Sequence, residues 1–295
     1  MIKKEKEFPF RNLEEGSNLE EGSKNDQRKE QERKEAETMK FFKQLEPLGD
    51  IFVGSWGYHI KFDPEAETFY FNHKNKEIGI GPKLVEKMNL TNPEKLFAFS
   101  HELGHLAQLS QSPDDYLESF EIPKQKAEQA KKEVRGFTKE AWHNFFNVFF
   151  DIHDNSIVRR RIPSFQKGQK YEHLPENLYE NKLFAEKDFT DLPYSEQFVD
   201  FLLKKTMAPE SQCKISKKVE QIINQPVKLM GFEYSSVMDF VKQEIYNPEH
   251  DCKDLMFNLR QELMPLFEKL LRQDIENKRT QMPQKKEINF DKKLS

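Results

Sequence analysis

The sequence is short of the features that would place it quickly. It has two cysteines, Cys213 and Cys252. That is too few, and too widely spaced, for a disulfide framework or a CxxC metal site, so two free thiols in a reducing compartment are expected. No apolar h-region follows the opening MIKKEKEFPF, so no secretory signal is read. No stretch approaches the roughly 18 apolar residues that cross a bilayer. The net charge of −4 argues against a nucleic-acid partner, and the run Arg159-Arg160-Arg161 is too short to alter that. These absences together predict a cytoplasmic protein with neither a nucleic-acid nor a membrane partner.

What is present is unevenly spread. The hexapeptide NLEEGS occurs twice in tandem, at 12–17 and 18–23, within a charged stretch that cannot bury apolar surface. Residues 1–38 are expected as a disordered charged tail, with a solvated helix possible over 25–37. Residues 278–295 are expected as a second disordered tail. Between them, 39–277 hold nearly all of the 26 Phe, enough for one cored domain.

The fold class expected for that domain is α+β: a small, mainly antiparallel N-terminal sheet and a mostly helical body. Tyr58–Phe62 alternates, Thr68–Phe71 is rich in β-formers, and Glu77–Gly81 reads as a third short strand. Helices are predicted at about 92–109 and 139–161, and further on near 176–186, 194–206, 213–224, 233–246 and 253–277. Phe184, Phe189, Phe198, Phe201, Phe232, Phe240, Phe257 and Phe267 are read as core.

The chemistry is concentrated in residues 97–109, FAFSHELGHLAQL. His101-Glu102-Leu103-Gly104-His105 is an HExxH sequence. On a helix, residues four apart share a face, so both imidazoles reach one ion, and neutral imidazole nitrogen suits Zn²⁺. Glu102 is turned away from that axis and can act as the general base toward a water on the metal. Gly104 is costly inside a helix, which suggests close approach by another element or by substrate.

Zinc needs a third protein ligand. The predicted helix over 141–158, AWHNFFNVFFDIHDNSIV, is apolar nearly all round, yet His143, Asn147, Asp151 and Asn155 recur every four residues along it. A buried carboxylate without a partner is very costly, and a metal with its histidines would supply one. Asp151, at the centre of the stripe, is the expected third ligand. Asp154 competes with it from one turn away, and His143 and His153 are further possible ligands. Asn147 and Asn155 are candidates to orient the ligands.

HELGH on a helix, after a short strand and before a second helix with an acidic residue, resembles the zincin metallopeptidases over residues 95–158. The arrangement is most similar to that of the gluzincins, in which the second helix carries a Glu ligand and, four residues on, a supporting Asp. Asp151 and Asn155 stand at those positions here, so both depart from the pattern. The metzincin extension is absent, with Gln108 and Gln111 where Gly and His would be needed, and so is the aspzincin signature. The resemblance implies a zinc metallopeptidase that holds one Zn²⁺ per chain and acts on a peptide or protein. A non-catalytic zincin-fold zinc-binding or interaction protein, or a zinc amidase, would share the site. The resemblance also implies substrate pairing along an exposed sheet edge, for which Glu77–Gly81 is the candidate strand unless its glycines serve only turns. It further implies an oxyanion-stabilising side chain, with Tyr171, His173, Tyr179, Tyr194 and Arg159 as candidates.

Overall fold

The computed structural model describes residues 21–54, 57–183 and 185–281. The tandem hexapeptide lies mostly outside them, as do Phe184 and the chain after Gln281. The described residues divide between Phe41 and Phe42 into two compact units, and everything that bears on the site belongs to the second. The charged run after residue 20 is helical, within α1 (Glu21–Gln44).

The second unit is mostly helical, with two small sheets. After α2 (Leu48–Val53) come β1 (His59–Phe62), β2 (Tyr70–Asn72), β3 (Glu77–Ile80) and α3 (Pro82–Lys87). The strand order is β1-β3-β2. β2 pairs antiparallel with β3, with Tyr70 opposite Gly79, whereas β1 pairs parallel with β3, with His59 opposite Glu77. The sheet is therefore half parallel, not mainly antiparallel. β1 passes over its sequence neighbour to the far side of β3, and short turns alone do not reveal that. β3 is thus the central strand and offers no free edge to a peptide. Its glycine is explained by packing, because a Cβ on Gly79 would fall 2.1 Å from a ring carbon of Tyr70.

Two helices carry the site. The first is α4 (Asn92–Gln111). Its start is fixed by Thr91, whose backbone N–H donates to Glu94 Oε2 at 2.7 Å, and by Pro93 in the first turn. Phe97, Phe99, Leu103 and Leu106 on α4 are essentially fully buried. α5 (Pro113–Gln129) follows after one residue.

The second is α6 (Arg135–Arg161), the central helix of the body, flanked by α4, α5 and α8 (Tyr194–Met207). Its aromatic face locks against α12 (Met264–Gln281): ring centroids of Trp142 and Phe145 lie 4.9 and 4.6 Å from that of Phe267. Each such buried ring contributes roughly 1.5–3 kcal/mol. That anchoring leaves the C-terminal half of the polar stripe, Asp151 and Asn155, to face α4, while His143 and Asn147 are exposed. The two helices run in opposite senses, since Phe97 meets Phe165 just beyond α6, His101 meets Asn155, and Gln108 meets His153.

The remaining body comprises α7 (Leu174–Leu178), a π turn over Tyr179–Leu183, α9 (Lys217–Ile223), α10 (Val237–Phe240) and α11 (Cys252–Asn258). A hairpin, β4 (Val227–Leu229) and β5 (Phe232–Tyr234), stands where helix was expected from residue 233. Phe232 and Phe257 are not core: they are 69% and 40% exposed. Phe232 pairs with buried Leu229 on the inward face of the hairpin, but it stands next to the turn, where that face is open to solvent. No helix among the described residues is long and apolar enough to cross a membrane.

Candidate metal centre

α4 and α6 bring three ligand-type side chains to one point. Asp151 Oδ1 lies 3.3 Å from His101 Nε2 and 3.3 Å from His105 Nε2. One donor atom from each of the three falls within 4.8 Å of the others. Ligands at about 2.0–2.1 Å from a tetrahedral zinc ion stand about 3.3–3.4 Å apart, so both distances to Asp151 suit a shared ion. The donor set, two imidazoles and one carboxylate, also fits zinc with one position left open. All three side chains are partly shielded, with 13–18% of each accessible.

Without an ion, the three side chains form a charge cluster. Burial pushes Asp151 up, but His101 and His105 overcome it and bring its carboxyl to about 2. Burial pulls both histidines down, yet the carboxylates win. His101 is raised by Asp151, and His105 is raised well above its ordinary value by Asp154 and Asp151. Glu102, buried beside them, is raised by burial itself, against the pull of the two histidines. A desolvated, more basic carboxylate suits a general base.

The far sides of the imidazoles are also occupied. His101 Nδ1 lies 3.2 Å from Asn155 Oδ1, and Asn155 Nδ2 donates to Tyr179 Oη at 2.8 Å. Lys204, fully buried, donates to the Tyr179 carbonyl at 3.0 Å and so ties down the start of the π turn. On the other side, His105 Nδ1 is 2.6 Å from Asp154 Oδ2, and Gln108 Nε2 donates to Asp154 Oδ1 at 2.6 Å. Asn147 Nδ2 donates to Asp151 Oδ2 at 3.2 Å.

The sequence-predicted residues thus separate by role. His101, His105 and Asp151 converge, and Glu102 stands beside them. Asp154, the rival ligand, lies behind His105 instead of in front of it. Asn155 hydrogen-bonds to His101, and Asn147 to Asp151. His143 is exposed and outside the cluster. His153 is completely buried and points elsewhere, with Nε2 3.1 Å from the His250 carbonyl. Of the five candidates for oxyanion stabilisation, Tyr179 is the one hydrogen-bonded into this shell. Arg159 is committed to Glu176 and to the Glu172 carbonyl.

Two contributors had no sequence signal that marked them. Gln108 was visible only as the wrong residue for a metzincin. Tyr116, on α5, is buried with its ring 5.3 Å from Phe150. Burial first, then the charges of Asp154 and Glu102, keep its phenol protonated. No protein-family model, no curated protein and no solved structure matches this chain.

Proposed function

We propose that the protein is a zinc-dependent hydrolase, a peptidase of zincin type, with His101, His105 and Asp151 as the metal ligands. The observation that carries this reading is the placement of one Asp151 oxygen 3.3 Å from the Nε2 atoms of both HExxH histidines. When bound, zinc supplies a Lewis acid that activates water and polarises a carbonyl.

The chain's own residues do the rest. Asp151 offsets part of the ion's charge and completes the three-ligand set. Glu102 accepts the proton of the attacking water on its carboxylate and delivers it to the departing amine. The shielded position of Glu102 desolvates its carboxylate and makes it a stronger base. Asn155 and Asp154 hold the two imidazoles with Nε2 facing inward. The step from hydrolase to peptidase rests on the likeness of the HELGH helix and its acidic partner to zincins.

The test is metal content and peptide turnover in the purified chain. The expected results are one zinc per chain, cleavage within a mixed peptide library, and loss of cleavage by about 10³-fold in Glu102→Gln with zinc retained. A zinc-loaded protein inert on such a library would favour a non-catalytic role. Full activity in Glu102→Gln would remove Glu102 as the base.

A further inference from the structure

The polar chain behind His105 continues past Asp154. Gln108 Nε2 is 2.6 Å from Asp154 Oδ1 and 3.1 Å from His153 Nδ1, and His153 Nε2 is 3.1 Å from the His250 carbonyl oxygen. Gln108, His153 and Asp154 are all inaccessible to solvent. Every proton in this chain can be assigned, because both ends are groups that only accept.

From the outer end, a backbone carbonyl accepts, so His153 must carry its hydrogen on Nε2. A neutral imidazole of that form has a bare Nδ1, which accepts in turn. The Gln108 group facing it is therefore the amide N–H. From the inner end, the Asp154 carboxylate also accepts, and it too requires the amide nitrogen of Gln108. The two ends demand the same orientation of the same side chain. The Gln108 carbonyl oxygen is left buried without a hydrogen-bond partner, as expected when the nitrogen decides the orientation. Asp154 Oδ1 is thereby occupied, and Oδ2 meets His105 Nδ1 at 2.6 Å as a close ion-pair contact, not as an aligned hydrogen bond.

We propose that Gln108 and His153 are positioning residues: the His250 carbonyl sets the tautomer of His153, His153 sets the amide orientation of Gln108, and Gln108 holds Asp154 so that Oδ2 meets the Nδ1 side of His105 and leaves Nε2 for an ion shared with Asp151. His153 belongs to the residue types that bind metals, but in this fold it orients a ligand from two side chains away. The proposal rests on the metal-centre reading above and names residues that reading does not use.

A residue that merely fills the core is indifferent to hydrogen-bond polarity, so variants of matched shape and altered polarity separate the two roles. Gln108→Glu keeps the shape and sets a carboxylate against Asp154. His153→Leu removes both nitrogens, and His153→Asn restores an acceptor near the position of Nδ1. Each full-length variant is titrated with Zn²⁺ against a chromophoric chelator, its Co²⁺ visible spectrum is recorded, and its thermal melt is measured.

The expected result is a loss of zinc affinity of about 10–100-fold in Gln108→Glu and about 10-fold in His153→Leu, with altered Co²⁺ bands. His153→Asn is expected to recover a substantial part of that loss. If Gln108→Glu does not fold, the pair at position 153 decides alone. Wild-type zinc affinity and unchanged Co²⁺ bands in His153→Leu would overturn the proposal, as would equal losses in His153→Asn and His153→Leu. Wild-type protein that binds neither ion would overturn the metal-centre reading itself, and this inference with it.

Discussion

Gly104 leaves the space that Asp154 occupies: a Cβ at residue 104 would stand 2.7 Å from Asp154 Oδ1 and 2.8 Å from its Cβ. Glycine inside a helix costs about 1 kcal/mol relative to alanine. Here that cost lets α6 bring a buried carboxylate up to the back of His105.

Gly104→Ala therefore sets two effects against each other. The helix gains about 1 kcal/mol, while Asp154 is forced away from His105 and Gln108, at about 1–3 kcal/mol for overpacking. Overpacking wins, because the clash is with a side chain held at both oxygens. The variant is expected to melt a few degrees lower and to bind zinc about 10-fold more weakly. A higher melting temperature with unchanged zinc affinity would show that the close approach is dispensable.

This arrangement also shows what sequence can and cannot carry. The HELGH spacing was legible because i,i+4 on one helix is local geometry, and Asp151 was legible because a polar stripe on a greasy helix has a period. Gly104 announced a close approach without naming its partner. The stripe favoured Asp151 over Asp154, but the place of Asp154 behind His105 was not legible. Which carboxylate faces Nε2 and which faces Nδ1 depends on the rotation of α6 against α4, and that is set by distant packing such as Trp142 and Phe145 on Phe267. The Gln108–Asp154 bond spans 46 residues and has no local trace. The hairpin over 227–234 was missed because its turn, Met230-Gly231, lacks the usual Asn-Gly or Asp-Gly signal, and Met230 takes a positive φ of 48°.

Metal binding should release protons near neutrality. In the metal-free chain His101 is raised and His105 is raised well above 6.5, while Asp151 is lowered to about 2. The raised histidines contribute stability that is fully present below their unfolded value of about 6.5 and is lost as pH rises through their folded values. The depressed Asp151 contributes stability present above about 3.9 and lost as pH falls toward 2. The cluster thus stabilises the metal-free chain most between about pH 4 and 6.5. Zinc takes the place of the histidine protons, so its affinity rises with pH across the histidine range. Calorimetry in two buffers of different ionisation enthalpy is expected to show net proton release at pH 6.5. The zinc-induced rise in melting temperature is expected to be larger at pH 8 than at pH 6. No proton release, with equal shifts at the two pH values, would mean that the histidines are already neutral.

Asp200 gives a pH dependence that is independent of the metal. It lies on α8, one turn after Glu196, and faces Asn144 of α6. Burial first, then the Glu196 charge, raise its carboxyl to about 7, against the lowering effect of a hydrogen bond from Asn144. The sign follows from proton affinity: the folded state holds this proton more tightly than the unfolded state, whose value is about 3.9. Stability is therefore undiminished below about pH 4 and falls as pH rises to about 7, beyond which the loss is complete. Asp200→Asn removes the charge and keeps the shape and the polar contact to Asn144. Relative to wild type it is expected to melt within about 1 °C at pH 4 and a few degrees higher at pH 8. Measured in the presence of a chelator, both proteins carry the same His101–His105–Asp151 cluster, so its contribution cancels in the difference. A variant less stable than wild type at pH 8 would mean that the ionised carboxylate makes favourable interactions that outweigh its burial.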